Sequence, residues 1–369
     1  MKIAILGTRG IPNNYGGFEQ FAEYISTGLV SKGHEVTVYN PSFHAYKEEY
    51  YNGVRLVRIG SPEKWIGPLA NFVYDYRCLR HAATQGFDLL YEAGYVTVVP
   101  SFILLCKAPY TMLTNMDGLE WKRSKWPAAA KWVIRQCERV TVRKSQVLIA
   151  DNVGIQAYYK ERFGVEPIYL PYGANMVHSF DPTTPAGYGL TTSEYFMLVA
   201  RLEKENNIEM VLDGYLASSL PHTFLVVGSY QTRYGRYLRG KYASERIRFS
   251  GGIYNKDTLD SLRHFSKAYL HGHSVGGTNP SLLEAMASEA FILAHQNQFN
   301  QSVLGKNALY FGTREELADI FRTIDNLCLK YKQLYISNNS TVIRESYNWE
   351  KVVALHEEVF ASVLQIKRF

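Results

Sequence analysis

Short runs of apolar, β-branched and aromatic residues alternate with segments of helical periodicity along the chain. That alternation predicts βα units around a parallel sheet, whose strands are buried on both faces and so read as continuous apolar runs. In the first half the runs are KIAILG, EVTVYN, VRLVRI, DLLYEA, YTMLTN, QVLIAD and PIYLPY; the second series is YFMLVAR, TFLVVGS, RIRFSG, AYLHGH, AFILAH and ALYFG. Between the series, Gly173 to Ser193 is rich in Gly, Pro, Ser and Thr and lacks periodicity, which marks a connection between domains. Near the end, Val352, Leu355, Val359 and Val363 recur at helical spacing and predict a packed amphipathic helix. The expected organisation is an α/β protein with one Rossmann-like domain over 1–172, a second over 173–345, and a helix over 346–369 packing back across the junction. A length of 369 residues agrees with two cores rather than one.

The longest apolar run, Tyr95 to Cys106, contains Pro100 and Ser101 and falls short of the ~20 residues a membrane span needs. The opening MKIAILG is too short for a signal-peptide core, so a cytoplasmic location is expected. Cys78, Cys106, Cys137 and Cys328 lie apart without CxxC or Cys/His spacing, the pattern of reduced thiols rather than of a zinc site or disulfide framework. The net charge of +6 is unevenly placed: from Asp117 to Lys144 eight Lys or Arg face three acids, and Trp121, Trp126 and Trp132 lie in the same stretch. Basic side chains interleaved with Trp suit an anionic membrane surface, with a solvated helix face as the alternative. No nucleic-acid-binding module accompanies the patch, so nucleic acid is not an expected partner.

In doubly wound sheets, ligands bind outside the carboxyl ends of the strands, so the chemistry is sought in strand-to-helix loops around a shared cleft. After the first strand, Gly16 and Gly17 enter a helix that carries Glu19; paired glycines there let a phosphate or sugar approach the backbone. The spacing is not GxGxxG and no acid ends the second strand, which disfavours a nicotinamide dinucleotide. After the fifth strand, Asp117 and Glu120 precede the basic stretch, and a carboxylate at that position suits proton transfer from an acceptor hydroxyl. In the second half Arg201 ends a strand and is placed to balance a diphosphate, with Glu203, Lys204 and Glu205 following. Tyr254, after a glycine pair, is placed to cover a base. The stretch HSVGGTNPSLLEAM leads from a small-residue loop into a helix carrying Glu284, and the helix start suits an anionic ligand. There is no DxD, HExxH or His cluster at ligand spacing; HGH at 271–273 reads as strand-end packing. A protein-bound metal is not expected, and without GxSxG or a partnered Cys neither is a serine or cysteine nucleophile.

Taken together, GTRGIPNNYGGFEQF, DGLEWKRSKW, ARLEKENNIE and HSVGGTNPSLLEAM, in that order over nearly the whole chain, resemble the GT-B glycosyltransferases of the large retaining family 4-like class. More narrowly they are similar to bacterial rhamnosyltransferases of surface-polysaccharide assembly, such as those of capsule and O-antigen. The resemblance implies a GT-B fold with two Rossmann-like doubly wound domains facing a central cleft. It implies a nucleotide-diphosphate sugar, dTDP-rhamnose, held by the second domain and a polyprenyl-diphosphate-linked saccharide held by the first, at the cytoplasmic face of the inner membrane. Under it Asp117, Lys122 and Glu205 are the catalytic residues, and Gly16, Gly17, Arg201, Asn206, Tyr254, Gly277, Thr278, Asn279 and Glu284 bind the donor. No metal or separate cofactor is implied.

Two departures stand out. The wider class places an acid eight residues before the position of Glu284, where this chain has Gly276, and a phosphate-binding Lys where it has Asn206. The narrower subgroup shares both, and a 6-deoxy sugar, with one hydroxyl fewer, gives a reason: Gly277, Thr278 and Asn279 supply the contacts instead. Two rivals remain, a sugar-nucleotide 2-epimerase of the same architecture and a non-catalytic sugar-nucleotide-binding subunit.

Overall fold

The computed structural model describes residues 1–14, 16–104, 110–116 and 118–366. By its contacts the chain divides into two compact units, Met1–Trp121 with Trp126–Tyr172 and Trp349–Phe369, and Lys122–Lys125 with Gly173–Asn348.

The first unit holds an eight-stranded sheet of β1 (Lys2–Leu6), β2 (Glu35–Pro41), β3 (Tyr50–Tyr51), β4 (Val54–Ile59), β5 (Leu89–Glu92), β6 (Thr111–Asn115), β7 (Val147–Ala150) and β8 (Ile168–Tyr169), in the order β3-β4-β2-β1-β5-β6-β7-β8. All pairings are parallel except β3 with β4. Ile3 to Leu6 are wholly buried, as the apolar run requires of a central parallel strand. The final helix, Trp349–Ile366, belongs to this unit and lies on the helix Gly17–Ser31. Trp349 stacks on Tyr24 with centroids 4.5 Å apart, and a Cβ on Gly28 would come within 2.6 Å of Val353, so the glycine lets the two helices close on one another.

The second unit is a six-stranded, all-parallel sheet of β9 (Tyr195–Val199), β10 (Thr223–Val227), β11 (Ile247–Gly251), β12 (Ala268–His271), β13 (Ile292–His295) and β14 (Leu309–Phe311), in the order β11-β10-β9-β12-β13-β14. Its core gathers Phe196, Leu198, Phe224, Val226, Leu270 and Leu293 from the strands and Phe291 from just before β13 with Val211, Leu212, Tyr215, Leu317 and Phe321 from covering helices. Both sheets are doubly wound. The chain turns from building outward on one side to building outward on the other at β1/β5 in the first unit and at β9/β12 in the second, and a ligand crevice is expected at such switch points. Among the described residues no helix is long and apolar enough to cross a membrane.

Candidate functional site

At the switch point of the second unit, the loops after β9 and β12 are tied together by hydrogen bonds to backbone. Ser274 donates both its amide (3.0 Å) and its hydroxyl (2.8 Å) to the carbonyl of Glu205, while Asn207 Nδ2 donates to the carbonyl of Gly272 (2.9 Å). Asn297 and Asn300 each donate from Nδ2 to the carbonyl of His273 at 3.0 Å. Gly272 has to be glycine here, since a Cβ would lie 2.3 Å from the carbonyl oxygen of Asn206. Residues 272–274 are thus fixed from three sides, and polar groups on them are preorganised.

Arg201 stands exposed just past β9, its carbonyl accepting from Asn206 Nδ2 at 2.7 Å. Asn206 is therefore buried and occupied in closing its own turn. Glu205 is buried and takes the hydroxyl hydrogen of Ser124 at 2.5 Å, with Arg123 3.9 Å away and also 3.8 Å from Glu203. Burial raises the Glu205 pKa, but the Ser124 hydrogen bond and the Arg123 guanidinium outweigh it and hold the carboxyl below its usual range. It is a carboxylate at neutral pH. His273 behaves in the opposite way: burial first, then the charges of Arg201 and Arg123, push its pKa down to about 3, so the imidazole is uncharged. Its ring stacks on His271 with centroids 4.3 Å apart, and its Nδ1 is buried without a hydrogen-bond partner.

The loop continues through Gly276, with φ at +135°, and Gly277 to a buried Thr278. Asn279 caps the helix Pro280–Ala287, its side chain accepting from the Ser281 amide at 2.9 Å. On that helix Glu284 pairs at 2.7 Å with Arg263, a guanidinium only 1% exposed that is also held 3.0 Å from Asp260. Tyr254 is 88% exposed and follows β11, two strands away from β9. The structure thus brings Arg201, Glu205 and Asn206 against the loop that carries Gly277, Thr278 and Asn279. Glu284 is drawn into a second polar set with Arg263, and Tyr254 lies exposed past β11.

In the first unit, the loop after β1 is held by side chains. Asn40 accepts from the Ile11 amide (3.1 Å) and donates to its carbonyl (2.8 Å); Glu19 accepts from the Arg9 amide (2.8 Å), and Glu23 from that of Asn13 (2.6 Å). Gly16 is extended backbone at the N-cap, and Gly17 is the first residue of the helix. Glu19 is buried, and burial raises its pKa. Lys122 is exposed at the end of a short turn, whereas Asp117 lies outside the described residues, as does Cys106. In the basic stretch, Trp121 lies under Arg135 (4.2 Å), and Trp126 donates to Glu120 (2.9 Å); Trp132 is 63% exposed. Among the described residues, no group of three or more His, Cys, Asp or Glu is placed to hold a metal ion.

Spacing alone does not single out His273, Arg123, Ser124 or Arg263. HGH is visible in the sequence, but its unmet nitrogens and its neighbours are properties of the fold.

Comparison with known proteins gives the fold a name. Residues 1–175 match the family model described as a domain of unknown function, DUF1972. No curated protein matches the chain. Sucrose-phosphate synthase from Thermosynechococcus elongatus superposes with a TM-score of 0.81 at 15% identity, over 99% of each chain. HepE of Anabaena in complex with UDP and glucose gives 0.77 at 18%, over 98% of this chain and 100% of that one. The catalytic domain of starch synthase IV from Arabidopsis thaliana, bound to ADP and acarbose, gives 0.73 at 12%, over 99% of each. The fold is GT-B.

Proposed function

We propose that the chain is a retaining glycosyltransferase that moves L-rhamnose from dTDP-rhamnose onto a polyprenyl-diphosphate-linked saccharide, without a metal, in bacterial surface-polysaccharide synthesis. The observation that carries the reading is the cluster at the β9/β12 switch point, where a cation, an ionised acid and an uncharged imidazole surround a loop fixed by its backbone. Arg201 suits a diphosphate, and the small-residue loop leaves room for a sugar. The GT-B structures bound to UDP and glucose, or to ADP, support a nucleotide-diphosphate sugar as the donor class. Four motifs in order support rhamnose.

In this reading residues 173–345 hold the donor and residues 1–172 the acceptor, with the last helix completing the acceptor domain. The bond from the anomeric carbon to the diphosphate breaks, and an acceptor oxygen forms its bond on the same face. The hydroxyl proton passes to the leaving phosphate, with Asp117 orienting the acceptor and Lys122 meeting acceptor phosphate. Arg201 and the backbone near Thr278 stabilise the departing charge, and the Gly16 and Gly17 amides let a phosphate or sugar approach the backbone of the first unit. Glu205 lies by the donor sugar, Asn206, Gly277 and Asn279 shape its loop, Glu284 reaches the ribose, and Tyr254 covers the base. The exposed Trp132 among the basic residues of Ala128–Lys144 rests the protein on the cytoplasmic face of the inner membrane.

The test is transfer of radiolabelled rhamnose from dTDP-rhamnose to a polyprenyl-diphosphate sugar in EDTA. Undiminished transfer is expected. Abolition by EDTA with recovery in Mg²⁺ or Mn²⁺ would remove the metal-free mechanism, and a strong preference for UDP-glucose would remove the donor.

A further inference from the structure

His273 stands at the head of the β9/β12 cluster with a ring nitrogen that the fold does not use. Its main chain is immobilised by Asn297 and Asn300 on its own carbonyl and by the bonds to Gly272 and Ser274 on either side. Its ring is set by stacking on His271. His271 is wholly buried at the end of β12, whereas His273, on the loop beyond it, is only partly buried as a residue. Against that rigid background the buried His273 Nδ1 has no partner. A buried polar atom left unmet is costly, and such atoms are rare in folded proteins. Where they recur, a ligand or ordered water supplies the missing bond.

The surroundings indicate which part of a ligand that is. Arg201 and Arg123 supply positive charge of the kind a diphosphate requires, and, after burial, they help keep the imidazole neutral. An uncharged imidazole offers one donor and one acceptor, the complement of a hydroxyl, which also does both. Glu205, ionised and held on the same loop pair through Ser274, is a second acceptor nearby.

We propose that His273 is a specificity-determining residue that hydrogen-bonds a hydroxyl of the transferred sugar. This rests on the nucleotide-sugar reading above. It predicts that His273 contributes to recognition of the sugar and not of the nucleotide.

The experiment is calorimetry on the full chain with dTDP-rhamnose, UDP-glucose and GDP-mannose, each beside its nucleoside diphosphate, for wild type, His273→Phe and His273→Asn. Phe keeps a ring to stack on His271 and removes both nitrogens, while Asn keeps an amide close to Nδ1. For the donor that wild type binds, His273→Phe should weaken the nucleotide-sugar complex about tenfold or more, as loss of a buried hydrogen bond does, and leave the nucleoside diphosphate within about threefold. His273→Asn should restore most of the difference. The inference is overturned if His273→Phe binds the sugar nucleotide as wild type does, or weakens nucleoside diphosphate and sugar nucleotide alike, or if Asn fares no better than Phe. Should wild type bind no sugar nucleotide at all, the nucleotide-sugar reading itself falls, an outcome separate from these.

Discussion

Asp75 and Glu92 are carboxyl groups that the fold has taken almost wholly out of water, at 3% and 0% exposure. Burial pushes the Asp75 pKa up to about 7 against a hydrogen bond from Thr97, and burial followed by the charge of Asp75 pushes that of Glu92 well above its usual range. A carboxyl whose pKa is higher in the folded state than in the unfolded chain stabilises the fold below the unfolded value, and that stability is lost as pH rises through the folded value. Stability of the protein should therefore fall between about pH 4 and pH 7 through Asp75, with Glu92 carrying the fall to higher pH, and Asp75→Asn should flatten the dependence below pH 7. Denaturant midpoints at about pH 5 and pH 7.5 measure it: wild type and variant should differ in their pH response by more than about 1.4 kcal/mol, the free energy of a tenfold change in proton affinity. Parallel pH curves would show that the pair ionises freely. Neither acid is legible as special, because both stand in segments whose sequence speaks only of a helix and a strand. The same holds for His273, where the letters HGH leave open whether a ring nitrogen is satisfied. Arg201 and Glu205 are legible, since each lies just past a strand end that the apolar runs locate.

Elements are easier to read than residues, for a physical reason. A strand buried on both faces has to be apolar throughout, so runs such as those of β1, β5, β6, β9 and β10 announce themselves, while β4 and β11 are marked by exposed Arg or Ser interleaved among apolar positions. Seven of the eight strands of the first sheet and all six of the second are legible in one of these ways. The exception, Tyr50–Tyr51, is two residues long and pairs antiparallel at the sheet edge, too short to carry a pattern. The helix Ile324–Val342 also escapes notice: Ile324, Cys328, Tyr331 and Tyr335 pack on the core at helical spacing, but only Ile324 of the four is fully buried, and polar and charged residues separate them. Close packing between elements is carried by single glycines. Gly272→Ala would drive a methyl group against the Asn206 carbonyl and force apart the turn that holds Glu205 and the loop that holds His273. A loss of about 1–3 kcal/mol is expected from such overpacking, read as a lower denaturant midpoint at unchanged slope, together with weaker donor binding. Wild-type stability in this variant would mean that the two loops yield at little cost.

Over the full chain, sequence order and structural membership differ in ways that a linear reading does not show. Lys122–Lys125 come from the first half of the sequence but are part of the second unit, where Arg123 and Ser124 engage Glu203 and Glu205. The last helix follows the second unit in sequence and belongs to the first. The basic stretch that composition presents as one patch is accordingly divided between the two. If the β9/β12 loops bind a nucleotide sugar, a thermal-shift panel of dTDP-, UDP- and GDP-sugars on wild type and Arg201→Ala should register it. A ligand at ~100 times its Kd adds about 2.7 kcal/mol of apparent stability. On this basis dTDP-rhamnose should raise the wild-type Tm by several degrees and leave that of Arg201→Ala nearly unmoved. A panel in which no sugar nucleotide shifts the wild type, or in which Arg201→Ala responds as fully as wild type, would mean that these loops are not the donor site.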